Sequence, residues 1–145
     1  MNLEKFLNEK EEKSILEAIK IAETNTSGEI RVHLESECKG DVMERAQKVF
    51  TKLKMHKTEL RNGVLFYVAT ESHHFAILGD NGIDEKVPAS FWNETKELVI
   101  SHLKNGERAA GLEAGILKAG EQLKTFFPYQ SDDKNELSDE ISTGI

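Results

Sequence analysis

Val64, Leu65, Phe66, Tyr67, Val68 and Ala69 form an unbroken apolar run. Successive strand side chains leave on opposite faces, so a strand built from this run needs cover on both sides. It predicts an interior strand with a layer above and a layer below. The run opens after Asn62 and Gly63, a turn signal, and residues 70–74 lead into a second run at Phe75, Ala76, Ile77 and Leu78. That spacing predicts a hairpin, stopped by a tight turn at Gly79, Asp80, Asn81 and Gly82.

Upstream, residues 29–35 alternate. Ile30, Val32 and Leu34 face one way; Glu29, Arg31, His33 and Glu35 face the other, which predicts a strand with one apolar and one polar face. Between these strands Asp41 is a fitting N-cap for a helix striped by Val42, Met43, Ala46, Val49, Phe50 and Leu53. A helix ahead of the first strand carries Ile15, Leu16, Ile19 and Ala22, with Asn8 and Glu11 spaced as a capping box and Leu3, Phe6 and Leu7 packing back from a preceding turn. Pro88 and Ser90 announce a third helix through Leu103. A fourth, from about Glu107 to Phe126, contains Gly111, Gly115 and Gly120, which suit close backbone approach. The order helix–strand–helix–strand–strand–helix–helix predicts an α/β fold: a three-layer α/β/α sandwich with a small mixed sheet flanked by helices. Residues 1–128 form the single domain. Residues 129–145, with five carboxylates against one lysine, read as a disordered acidic tail.

This topology brings three distant segments to one sheet edge. With the first two strands parallel and the third reversed, Glu29, Arg61 and Asn62, and the stretch from Asp80 to Asp84 share that rim. Carboxylates, amide oxygens and backbone carbonyls are the ligands that hard cations require. Glu29, Asn62, Asp80, Asn81 and Asp84 are therefore the candidate ligand set. The bland reading competes with it: Asp, Asn and Gly populate any tight turn, and Glu29 with Arg61 could be an ion pair.

Composition narrows the function classes. The 145 residues carry a net charge of −7, which argues against tracking nucleic acid or lying on anionic lipid. One cysteine, Cys38, excludes an internal disulfide framework and a multi-cysteine zinc site. Cys38 and Arg45 are one residue too far apart for a phosphatase loop, and acidic residues between them would repel phosphate. Cys38 is expected to pack under the helix start. Adjacent His73 and His74 point to opposite faces and sit at the edge away from Asp80. No apolar run is long enough to cross a bilayer, and no signal-peptide stretch is present, so a cytoplasmic protein is expected.

Residues 26–33, then Arg61-Asn62-Gly63-Val64-Leu65, then residues 75–80 with Gly82 and Ile83 resemble the TPM domain. Phe91-Trp92, Ala110-Gly111-Leu112 and Phe127-Pro128 extend the likeness over residues 3–128. The resemblance implies an α/β/α sandwich and a divalent cation, calcium favoured and magnesium possible, bound near the glycine-rich turn. That places Asp80, Asn81, Gly82 and Asp84 as ligands and Glu29 as a further partner. The family includes a plant acid phosphatase and an animal membrane-receptor accessory protein, so no single activity transfers with the fold. Three functions remain: a non-catalytic module whose cation shapes a surface for a protein partner; a metal-dependent phosphoester hydrolase with Glu29 as a candidate base, Arg61 holding a phosphate oxygen and Asn62 beside it as a further anion or outer partner; or a scaffold with no ligand, its acidic tail serving solubility. The remaining catalytic residues of the second are not identifiable from the sequence.

Overall fold

The structure, a computed structural model, describes residues 6–129, 137 and 140–143. Its elements in chain order are α1 (Glu9–Asn25), β1 (Glu29–Glu35), α2 (Val42–Lys52), β2 (Gly63–Ala69), β3 (His74–Gly79), α3 (Asn81–Asp84), α4 (Asn93–Lys104), α5 (Arg108–Leu123) and β4 (Ser142–Thr143). The strands lie in the order β3-β2-β1-β4. β1 pairs parallel with β2 and with β4, and β2 pairs antiparallel with β3.

Every residue of β2 is buried, as its continuous apolar run requires. Val64, Phe66 and Val68 join Ile30, Val32, Leu34, Phe75 and Ile77 against α1, α4 and α5. Leu65, Tyr67 and Ala69 meet Ala46, Val49 and Phe50 of α2 on the opposite face. These are the three layers expected. Asn8 and Glu11 close the capping box that starts α1. Phe6 and Leu7 are buried against the body; Leu3 lies outside the described residues.

The glycines of α5 place it between two neighbours. A Cβ on Gly115 would come within 2.3 Å of a Val99 methyl on α4, and one on Gly111 within 2.6 Å of His102. On the α1 side, a Cβ on Gly120 would stand 2.9 Å from both Cα and Cβ of Ala22. The spacing serves helix–helix contact as well as contact with the sheet through Phe66.

Three expectations need correction. The stretch after β3 is a short helix, α3, capped by the Asp80 side chain, where a simple turn was expected. Residues 88–92 precede α4, which begins at Asn93. The acidic tail is not wholly without structure: Leu137 is buried, Ile141 packs on the larger core, and β4 extends the sheet beside β1. The apolar side chains at 137 and 141 supply the burial that the surrounding charges obscure. Residues 130–136, 138–139 and 144–145 of that tail lie outside the described residues.

Gly120→Ala should lower stability by about 1–2 kcal/mol, because overpacking against the α1 backbone outweighs the gain in helix propensity. A lower urea midpoint at unchanged slope is the expected result.

Candidate functional site

Backbone pairing assembles the rim as the topology required. Glu29 N–H donates to the Asn62 carbonyl at 3.1 Å, and Asp80 N–H donates to the Gly63 carbonyl at 2.9 Å. Glu29 lies opposite Gly63 and Val64 opposite Gly79. Glu29, Gly63 and Asp80 therefore form one cross-strand row, its outer Cα atoms roughly 9.5 Å apart across two strand spacings. The start of β1 is also tied to the end of the helical layer: Ser27 N–H donates to the Phe127 carbonyl at 2.9 Å, and the Thr26 hydroxyl donates to the same oxygen.

The side chains on this rim divide into distinct groups. Arg61 grips Asp80 with two prongs, Nε to Oδ2 at 2.8 Å and Nη2 to Oδ1 at 2.9 Å. Asn81 N–H donates to Oδ1 of the same carboxylate at 2.7 Å. A carboxylate offers about four lone-pair positions, so Asp80 retains one, on Oδ2. Arg61 reaches it from a left-handed backbone, φ 51°, unusual for a residue with a side chain. Arg61 thus pairs with Asp80, where a pairing with Glu29 was the competing expectation.

Asp84 stands one turn beyond Asp80 and lines the same cavity of about 380 Å³, together with His56, Arg61 and Asn81. Partial burial and the neighbouring Asp80 charge push its carboxyl above the ordinary value. Gly82 allows α3 to seat: a Cβ there would fall 2.2 Å from the Leu60 carbonyl oxygen and 2.6 Å from that of Arg61. Its role is close packing. Glu29 is 4% exposed and faces elsewhere, Oε1 accepting the Leu137 N–H at 2.7 Å. Asn62 donates from Nδ2 to the Ser27 carbonyl at 2.9 Å, tying the starts of β1 and β2 together. The structure thus gathers Asp80, Asn81, Asp84 and Arg61 in one cavity, with Glu29 and Asn62 on the same rim but not lining it. Among the described residues no three His, Cys, Asp or Glu side chains converge as a ready metal cage.

A second polar cluster, at the other end of β1, was not foreseen from the alternation of residues 29–35. Glu35 accepts from Arg45 Nε and Nη2 at 2.8 Å each, from the Tyr67 hydroxyl, and from His33 Nε2 at 3.1 Å. Four donors use its full acceptor capacity. These bonds, with Arg45 first among them, outweigh burial and draw the Glu35 carboxyl down to about 2. His33 is completely buried, stacked on Tyr67 at 6.0 Å, and its pKa is lowered by that burial, against which Glu35 pulls upward. Because ionised Glu35 can only accept, Nε2 carries the His33 proton and Nδ1 accepts from the Ser142 hydroxyl at 2.7 Å. A cavity of about 500 Å³ opens beside Glu35 and Arg45, but the saturated carboxylate has nothing left to offer a ligand. His73 and His74 are exposed at this end, away from Asp80, and Cys38 is buried under the start of α2 as expected.

Glu35 has a depressed pKa in the fold, so its stabilisation is present above about pH 4.5 and fades as pH falls toward 2. Glu35→Gln should cost about 2 kcal/mol at pH 7. Chemical denaturation across pH 2–7 should show the gap to wild type closing at the acid end.

Comparison with known proteins follows the fold. The solution structure of the BA42 protein from the psychrophilic bacterium Bizionia argentinensis is 49% identical, with a TM-score of 0.92 and 99% of each chain covered. The N-terminal domain of a P. gingivalis protein, also solved by NMR, is 18% identical with a TM-score of 0.68, covering 84% of this chain and 79% of that one; it supports the fold alone. A search of curated proteins found no match. Among the described residues no helix is long and apolar enough to cross a membrane. The family model for the TPM domain matches residues 1–122, and the chain belongs to that family.

Proposed function

We propose that this TPM-domain chain binds a divalent cation, calcium favoured over magnesium, through Asp80, Asn81 and Asp84, and works as a non-catalytic module whose cation-set rim engages a protein partner. The observation that carries this reading is the placement of two carboxylates, Asp80 and Asp84, in one cavity whose lining guanidinium, Arg61, pairs with Asp80. Burial first, and then the neighbouring Asp80 charge, raise the Asp84 pKa, so the two carboxylates repel each other in the cavity. A cation relieves that repulsion.

The donor chemistry fits. Asp80 keeps an acceptor position on Oδ2, Asp84 contributes a carboxylate, and the Asn81 side chain lines the same space. Calcium accepts irregular oxygen sets completed by water, whereas magnesium demands near-octahedral order. Two carboxylates opposed by Arg61 leave little net negative charge, so affinity belongs at the weak end, Kd about 10⁻⁴–10⁻³ M. Gly82 contributes by letting α3 approach the carbonyls of Leu60 and Arg61. A phosphoester hydrolase is supported less well, because the guanidinium that would hold the phosphate is committed to Asp80 by both prongs.

At 10 mM calcium chloride the folded state should gain about 1.4–2.7 kcal/mol, a Tm rise of roughly 4–8 °C by scanning calorimetry. Asp80→Asn should abolish the rise. Arg61→Asn, which tolerates the left-handed backbone, should enlarge it by removing the competing charge. A Tm indifferent to calcium in all three proteins would refute the reading.

A further inference from the structure

We propose that β3 pairs with β3 of a second copy of this chain, so that His74 of each copy enters the Asp80–Asp84 cavity of the other. The starting point is an open sheet edge. In the order β3-β2-β1-β4, β3 ends the sheet, and no described strand lies on its outer side. The Asp80 N–H reaches the Gly63 carbonyl. In the antiparallel pattern, residues 74, 76 and 78 therefore also direct their backbone groups toward β2, whereas Phe75, Ile77 and Gly79 direct theirs outward. Sheet edges are ordinarily blunted by proline, lysine or a bulge. Residues 74–79 contain neither proline nor lysine and pair with β2 in unbroken register.

Three outward residues, each two positions from the next, are self-complementary. A two-fold axis through Ile77 sets Phe75 opposite Gly79 of the second copy and Ile77 opposite its own counterpart. No other antiparallel register of β3 on itself uses all three. The same register sets His74 directly opposite Asp80 of the second copy, on the same face. Ala76 and Leu78, two and four positions beyond His74, pack with the α2 core, and Asp80 lines a cavity with Gln47, Phe50 and Thr51 of α2. His74 is exposed, and an imidazole N–H suits the acceptor position that Asp80 keeps on Oδ2. One chain holds His74 and Asp80 at opposite ends of β3. The two-fold brings them together twice.

The flank of the edge matches. Gln47 and Thr51 stand beside Leu78 and Gly79 in the cavity, and Met43, 38% exposed, lies one turn before Gln47 on the same side of α2. That stripe is uncharged, although α2 also carries Glu44, Arg45, Lys48 and Lys52. It is the side of α2 that meets the second copy when the two sheets join.

Sedimentation equilibrium of the full chain in EDTA, at concentrations up to about 1 mM, should show monomer and dimer in exchange. The chelator keeps the result independent of the cation reading. His74→Glu sets carboxylate against carboxylate at both ends of the interface and should weaken the dimer about tenfold or more. Amide exchange on the wild-type protein locates the contact. As concentration rises, exchange should slow at Phe75, Ile77 and Gly79, whereas Ala76 and Leu78, already bonded to β2, should not change. A monomer at every concentration overturns the proposal. So does a dimer that His74→Glu leaves intact, or one that leaves the Ile77 and Gly79 amides unprotected, because another surface then holds it together.

Discussion

The burial of β2 on both faces is the constraint from which the rest of the architecture follows. A seven-residue strand with no exposed position cannot be served by one helical layer. The connection from β1 places α2 on the face opposite α1, α4 and α5, over β2 and β3, and the C-terminal segment adds cover on the polar side of β1. Glu29, His33 and Glu35 of β1 are consequently buried polar groups. Buried polar groups need partners, and the chain supplies them from α2, β2 and the C-terminal segment.

Lone-pair accounting separates the two ends of the sheet. Glu35 receives four donors and is saturated, so its network locks β1 to α2 and to Tyr67 without offering chemistry. Asp80 receives three and stands beside a second carboxylate whose proton affinity is raised. Both are buried carboxylates gripped by an arginine. The difference lies in one unused acceptor position and in the neighbour it faces. This is why the larger cavity, beside Glu35, is the less informative one.

Much of this was legible in the residues, and the failures have physical causes. Period-two and period-3.6 patterns located the three main strands and four longer helices, and strand direction alone brought Glu29, Asn62 and Asp80 to one rim. Pattern does not choose rotamers, however, so Arg61 could be placed near two carboxylates without showing that Asp80 would win. Helix α3 has only four residues and can display no periodicity. The polar face of β1 looked exposed because its cover comes from elsewhere in the chain, including Leu137 and Ser142. Leu137 and Ile141 were the available signal, two apolar positions four apart, outnumbered by the carboxylates around them.

The pairing of His33 with Ser142 spans 109 positions. During synthesis the partners of β1 outside the C-terminal segment precede that contact by many residues: β2 ends at Ala69 and α5 at Leu123. The body of the domain can therefore assemble while one side of β1 is still bare, and the sheet is completed last by a contact of high sequence separation. A nascent chain exposes for a time the same strand edge and acidic side chain that the finished molecule keeps covered, which makes that interval the moment when an outside strand could compete for the place.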